Sequence, residues 1–201
     1  MAAKRASRRK FGATQKDRIF LAVLPDVATA ARIHALAETL KTAHGFEGTL
    51  IRPEHLHVTL FHLGDWNGLP ASIVEIASAA AATIAAPPFE VAFNRVESFR
   101  NSTGVYPFVL LGEPGATKLR AFRTLLGAAL TKAGLGGATK GDFKPHVTLL
   151  RDTRRVAPAP LAPIMWTVRD FVLVHSLLGK TTHVHLARWR LAAERTGVAS
   201  V

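Results

Sequence analysis

The sequence contains no cysteine among its 201 residues, which excludes disulfide bonds and thiolate metal sites within them. Acidic side chains are scarce, with 14 Asp and Glu against 26 Lys and Arg. No apolar run approaches the roughly 20 residues of a membrane-spanning helix. The Ala-rich stretch at residues 77–86 is too short and is typical of a soluble helix. These absences predict a cytoplasmic protein that does not enter a membrane.

The formal charge is +12, and half of it falls in the first 18 residues. We therefore predict a basic disordered tail at residues 1–17, a single folded domain at 18–195 and a flexible C-terminus at 196–201. Apolar residues make up 48% of the chain, which is enough to build a core. The remaining excess of positive charge favours a partner that carries phosphate.

Hydrophobic periodicity predicts strands mixed with helices, as in an α+β protein. Asp26 and Gly45 are expected to cap the first helix at its two ends. Pro158, Pro160 and Pro163 predict an irregular loop, and Gly64-Asp65 is expected to close the strand before it. The predicted strands are residues 18–24, 49–52 (short), 56–63, 89–99, 105–111, 145–151 and a hairpin of 165–178 with 183–191; the predicted helices are 26–44, 70–84 and 116–133.

One motif occurs twice: His57-Val58-Thr59-Leu60 and, 89 residues later, His146-Val147-Thr148-Leu149. On a β-strand the His and the Thr point to one face, while the two apolar residues pack behind them. Two such strands side by side present two imidazoles and two hydroxyls, a set suited to gripping one small tetrahedral anion. The spacing is close to half of the folded chain, so each half is expected to contribute one motif to a shared cleft.

These motifs resemble those of the 2H phosphoesterases, and within them the RNA 2′,3′-cyclic phosphodiesterases, also called 2′-5′ RNA ligases. The likeness extends over residues 18–191. It is carried by Arg18 and Phe20 in an opening strand, Leu63-Gly64 after the first motif, the block Phe143-Lys144-Pro145-His146-Val147-Thr148-Leu149-Leu150-Arg151-Asp152, Ser176, and Arg188-Trp189-Arg190-Leu191. His62 stands where the family usually has an aromatic residue, and strand parity predicts that it lies on the face opposite His57.

The resemblance implies a bilobal α+β fold: two pseudo-symmetric lobes of antiparallel sheet, with helices packed outside and a central cleft that carries the two His-x-Thr strands. It also implies hydrolysis of an RNA or nucleotide 2′,3′-cyclic phosphate to a 2′-phosphate, and reversible 2′-5′ RNA ligation. No metal or other cofactor is required in that chemistry. We expect the protein to act as a monomer whose partner is the RNA or nucleotide substrate.

By the same resemblance, His57 is the proton donor to the leaving oxygen and His146 is the proton acceptor that activates water. The residues alone do not order the pair. Thr59 and Thr148 are expected to bind the non-bridging oxygens. Arg151 would add a charged donor, but an odd offset from His146 requires a bulge, a twist or the strand end to bring it into the cleft. Lys144 shares the parity of His146 and is predicted to meet substrate phosphate.

Two other interpretations fit the residues. The spacings His55-Leu56-His57 and His183-Val184-His185 occur in metal sites on strands, so a metal-dependent hydrolase with Glu54 as the acid is one alternative. A non-catalytic RNA-binding module that relies on the basic surface is the other. His34, His44 and His175 are predicted to be structural.

Overall fold

The structure, a computed structural model, describes residues 16–112, 116–180 and 182–192. The predicted C-terminal segment 196–201 and almost all of the predicted tail lie outside these residues. Asp17 is an exception, because it begins the first strand, is buried, and binds His175 at 2.6 Å. The described elements are β1 (Asp17–Val23), α1 (Val27–His44), β2 (Val58–Trp66), α2 (Ala71–Ala82), β3 (Phe89–Ser98), β4 (Tyr106–Leu111), α3 (Thr117–Leu130), β5 (His146–Asp152), β6 (Ala159–Val168), β7 (Asp170–Leu177) and β8 (Thr182–Arg190).

The strands form two antiparallel sheets of four, in the orders β2-β1-β7-β8 and β5-β4-β3-β6. The predicted α+β fold with two sheet lobes is therefore confirmed. Each motif strand, β2 or β5, occupies one edge of its own sheet. The two lobes are not simple sequence halves, since the chain returns to the first sheet for β7 and β8 after completing the second.

The first helix begins and ends as its sequence predicts. The Asp26 carboxylate accepts a hydrogen bond from the backbone N–H of Thr29 at 2.8 Å, which satisfies one of the free donors of the first turn. Gly45 takes the left-handed conformation with φ 63° and closes the last turn. Ala30, Ile33 and Ala37 lie on the buried face of this helix.

The predicted loop at Pro158–Pro163 is wrong, because Ala159–Val168 is strand β6. This strand pairs with β3 alone and forms the outer edge of its sheet, where a residue without an N–H is tolerated. The predicted run 165–178 is consequently two strands, β6 and β7, which belong to different sheets. The hairpin of β7 with β8 is confirmed.

Two further strand boundaries differ from prediction. Gly64 and Asp65 do not close β2, which continues to Trp66. Residues 49–52 form one isolated bridge, Leu50 with Leu150, rather than a strand. That bridge still matters for the site, because it ties the segment ahead of β2 to β5, and Ile51 donates to the Leu149 carbonyl at 2.8 Å.

The main core lies between the sheets and the helices, and it includes Leu60 and Leu149 from behind the two motifs. A small separate cluster of Phe20, Val172 and Val174 forms an apolar floor on the other face of the first sheet. Among the described residues no helix is both long and apolar enough to cross a membrane.

Candidate active site

Both motifs open into one cavity of about 500 Å³ between the two sheets. This volume falls in the usual range for a small-molecule site. The cavity is lined by Arg18, Phe20, Ile51, His55, His57, Thr59, His62, His146, Thr148, Arg151, Ser176, Leu177, Leu178, Gly179 and His183. The structure thus brings together both predicted histidines, both threonines and Arg151.

A β-bulge follows the threonine in each motif strand. In β2 the register with β1 passes from Thr59 to Phe61, which leaves Leu60 as the extra residue. In β5 the register with β4 passes from Thr148 to Leu150, which leaves Leu149 as the extra residue. A bulge shifts the later side chains by one face of the strand. The two motifs therefore share a backbone irregularity as well as four residues.

The bulges decide which side chains follow each threonine into the cleft. Arg151 reaches the cavity because Leu149 is bulged, so the structural condition for its predicted placement is met. The prediction that His62 faces away from His57 is wrong for the same reason. His62 pairs with Phe20 and lines the cavity. It stands 89 residues before Arg151, at the equivalent position of the first motif.

Each motif histidine is held by the same hydrogen bond. Nδ1 of His57 lies 2.7 Å from the His55 carbonyl, and Nδ1 of His146 lies 2.7 Å from the Lys144 carbonyl. A carbonyl oxygen only accepts, so Nδ1 carries the hydrogen in both rings. When a ring is neutral, its Nε2 therefore has a free lone pair. This tautomer suits a nitrogen that exchanges protons with a bound substrate.

Burial lowers the pKa of both motif histidines. It lowers the pKa of His57 to about 4, against the raising effect of the His55 carbonyl, and the charge of His146 lowers it further. Burial also lowers the pKa of His146, and the nearby Arg151 adds to the effect. Since charge on one ring acts on the other, the two imidazoles lie within electrostatic range. Both are neutral at pH 7 while the cleft is empty.

Arg151 is positioned by the loop that precedes the first motif. The carboxylate of Asp152, the next residue, accepts hydrogen bonds from the backbone N–H groups of Glu47 and Gly48, both at 2.7 Å. A Cβ on Gly48 would lie 2.0 Å from the Arg151 carbonyl, so only glycine allows this approach.

Lys144 contributes through its backbone, since its carbonyl holds His146. Its side chain is exposed, lies 5.5 Å above the Phe99 ring and 4.0 Å from a Glu97 oxygen, and is not part of the cavity lining. The predicted contact of Lys144 with substrate phosphate would have to form at the edge of the cleft.

Arg123 of α3 connects the two motif segments, and sequence reasoning did not identify it. Its Nε donates to the Leu60 carbonyl at 3.0 Å, at the bulge of β2. Its guanidinium lies 4.5 Å from the Phe61 ring centre and 4.7 Å from that of Phe143, just ahead of the second motif. Cation–π contacts on both faces explain how a basic group is accommodated at this depth.

We expect Arg123→Met to lower kcat about tenfold with little change in KM, because the bulge that orients β2 loses its hydrogen bond. Steady-state kinetics on a cyclic phosphate substrate measure this. Arg32→Met is the matched control: Arg32 also donates to a carbonyl, that of Met165, but touches neither motif strand. Equal effects of the two substitutions would show that Arg123 contributes only general stability.

The His-x-His pairs are distributed differently from a metal site. His183 lies 4.4 Å from His55 and 5.5 Å from His57 between ring centres, and Phe20 stacks on His57 at 4.8 Å. These rings form an aromatic wall beside the motif histidines. Glu54, the proposed acid, lines a separate cavity. Within the described part of the chain, no three His, Asp or Glu side chains are grouped so as to hold a metal ion.

The other three histidines have structural partners, as predicted. His34 lies 3.1 Å from the Ile51 carbonyl, and His44 packs edge-on against Phe108. Asp17 binds His175, and this bond lowers the pKa of the Asp17 carboxyl.

Comparison with solved structures shows the same fold in several phosphoesterases. A structure described as a phosphoesterase is 22% identical, with a TM-score of 0.69, over 88% of this chain and 98% of the other. The protein TT0787 of Thermus thermophilus is 23% identical, with a TM-score of 0.71, over 88% and 99%. E. coli LigT complexed with 3′-AMP is 23% identical, with a TM-score of 0.68, over 88% and 99%.

No curated protein sequence matches the chain. The model of the 2′-5′ RNA ligase superfamily matches residues 24–190, which include both motifs, both bulges and the strands that complete the cleft. This match spans most of the chain and confirms the resemblance carried by the motifs. The protein belongs to the 2′-5′ RNA ligase superfamily, a superfamily of phosphoesterases and ligases.

Proposed function

We propose that this protein hydrolyses the 2′,3′-cyclic phosphate of an RNA end or a nucleotide to a 2′-phosphate, by acid–base catalysis with two histidines and without a metal. The observation that carries the proposal is the convergence of both His-x-Thr strands on one cavity, with each imidazole held through Nδ1 by a backbone carbonyl. That arrangement presents two Nε2 atoms to one substrate. A structural neighbour, LigT, is described as a complex with 3′-AMP, a ligand of the proposed size.

In the proposed reaction His146 removes a proton from a water molecule as its oxygen attacks phosphorus. A P–O bond to that oxygen forms while the bond between phosphorus and the 3′-oxygen breaks. Protonated His57 gives its proton to the departing 3′-oxygen. The products are a 3′-hydroxyl and a 2′-phosphate, and proton exchange with solvent restores both rings. Each proton transfer typically contributes about 10²- to 10⁴-fold.

Thr59, Thr148 and Arg151 would stabilise the charge that develops on the non-bridging oxygens. The two hydroxyls are half-buried and stand one strand repeat beyond the histidines on the same face. Arg151 is close enough to lower the pKa of both histidines, so its charge also reaches a phosphate bound between them. Donors fixed before the substrate arrives stabilise a transition state without reorganisation.

The pH dependence tests the proposed pair. One ring must be protonated and the other neutral, so kcat/KM is greatest between the two pKa values of the free protein. Both lie below 6.5, hence we expect an optimum of kcat/KM below that pH and a decline already at pH 7. A bound anion favours the imidazolium form and raises both pKa values, so the optimum of kcat should lie at higher pH. Coincident profiles with an optimum above pH 7 would contradict this pair.

Hydrolysis should persist in excess EDTA, because the two histidines supply the acid and the base and the threonines supply the anion contacts. The measurement is turnover of adenosine 2′,3′-cyclic phosphate by the chelated protein, with a zinc- and manganese-supplemented sample beside it. Loss of activity on chelation, restored by either metal, would favour the His-x-His hydrolase instead.

A further inference from the structure

One end of the cleft carries a cluster of charged side chains that the proposed reaction does not use. Nε and one Nη of Arg18 donate to the two carboxylate oxygens of Asp65, each at 2.8 Å. His62 Nε2 lies 2.8 Å from the same carboxylate. Arg18 and His62 both line the cavity, whereas Asp65 stands behind them. The carboxylate thus orients two cationic or polar groups and leaves the other Nη of Arg18 outside the pair.

Arg151 completes this cluster from the other sheet. Burial, and then the positive charge of Arg18, lower the pKa of the Arg151 guanidinium, so the two arginines lie within electrostatic range. In the described residues no carboxylate forms an ion pair with Arg151, whereas Asp65 serves both Arg18 and His62. Two guanidinium groups therefore face a single carboxylate, and the cluster has a net positive charge.

The cluster is offset from the reacting centre by the bulges. His62 and Arg151 are the first cleft-facing side chains after Thr59 and Thr148, at equivalent positions 89 residues apart. Each lies roughly one strand repeat, about 6.6 Å, beyond its threonine. A phosphate held between the two histidines and two threonines leaves part of these donors unused. A second anionic group on the same ligand would meet them.

We propose that Arg18, His62 and Arg151 form a second anion subsite, which binds a phosphate of the substrate other than the one that reacts. This inference rests on the proposed function and narrows its substrate class. In an RNA chain the terminal nucleotide carries a phosphodiester on its 5′-oxygen in addition to the terminal cyclic phosphate. The favoured substrate is accordingly an RNA end or a 5′-phosphorylated nucleotide, rather than a nucleoside cyclic phosphate.

Binding can be measured separately from turnover with two product-like probes, adenosine 2′-monophosphate and adenosine 2′,5′-bisphosphate. By calorimetry at low salt, the wild-type chain should bind the bisphosphate about tenfold or more tightly than the monophosphate, since charge-assisted contacts with arginine are strong. The advantage should shrink as salt is added. Equal affinities for the two probes would overturn the proposal.

Two variants assign the preference to the cluster. His62→Phe keeps a ring of similar size and leaves the Arg18–Asp65 pair in place, and it should reduce the affinity ratio severalfold. The double variant Arg18→Gln with Asp65→Asn removes both charges together, so neither is left unpaired, and it should bring the ratio close to one. Arg32→Gln, on helix α1 outside the cleft, is the control and should preserve the ratio. A full preference in both cluster variants would also overturn the proposal.

The two proposals fail in different ways. If the wild-type chain binds the bisphosphate preferentially but opens no cyclic phosphate, the anion subsite stands and the proposed reaction does not. If it opens adenosine 2′,3′-cyclic phosphate and its 5′-phosphorylated form with equal kcat/KM, and binds both probes equally, the reaction stands and the subsite does not.

Discussion

Replacing either motif histidine, as His57→Ala or His146→Ala, should lower kcat for cyclic phosphate hydrolysis by several hundred-fold or more. The reason is that each ring carries one of two proton transfers, and one transfer is typically worth about 10²- to 10⁴-fold. The double variant should be only modestly slower than either single variant, since groups that act as a unit are not additive. Initial rates under saturating substrate measure all three.

Folding has to be preserved for this comparison. Both rings line the cavity rather than the core, so loss of the imidazole should cost little stability; His57 loses its stacking contact with Phe20. His34→Ala, on helix α1, is the control for removal of a half-buried histidine outside the cleft. Folded His→Ala proteins that retain near wild-type rates would refute the two-histidine mechanism.

Loss of either motif hydroxyl should have a smaller but still large effect. We expect Thr59→Val and Thr148→Val to lower kcat/KM on the order of 10- to 100-fold, because a hydrogen bond to a charged group contributes roughly 1.5–3 kcal/mol. Valine keeps the shape of threonine, so the change reports the hydroxyl rather than the packing. The measurement is kcat/KM on a cyclic phosphate substrate at the pH optimum.

Thr59→Ser and Thr148→Ser provide the matched rescue, since serine restores the donor without the methyl group. Activity should return to within a fewfold of wild type. If the valine and serine variants behave alike, the hydroxyls do not bind the reacting phosphate and the threonines serve only the strand.

The sequence allowed much of the fold to be predicted where local chemistry and tertiary structure agree. The Asp26 cap, the Gly45 terminus and the duplicated motif are local signals, and the structure keeps each of them. Pro160 and Pro163 were misleading because proline reports only a missing donor. Whether that donor is needed depends on which strand lies alongside, and β6 is an edge strand.

His62 shows why the cleft was only partly predictable. Strict alternation puts it behind the sheet, whereas the bulge at Leu60 returns it to the cavity. A signal for the bulge was present, because Leu60-Phe61 and Leu149-Leu150 place two apolar residues in succession after each threonine. Such a pair breaks the period of two and is consistent with an extra residue that stays on the core side.

Arg123 could not be inferred from its own surroundings in the sequence. It lies on α3, far along the chain from either motif, and a basic residue on an amphipathic helix is expected to face solvent. Only the packing of α3 against β2 and the Phe143 segment brings its guanidinium between two aromatic rings. Contacts of this kind depend on tertiary structure and have no local pattern.

The identity of the product tests the central claim most directly. Adenosine 2′,3′-cyclic phosphate is incubated with the wild-type protein in EDTA, and the phosphate product is identified by phosphorus NMR against authentic standards. The account predicts adenosine 2′-phosphate, because the 3′-oxygen leaves and the phosphate stays on the 2′-oxygen. Adenosine 3′-phosphate as the product, or recovery of the unreacted cyclic phosphate, would contradict it.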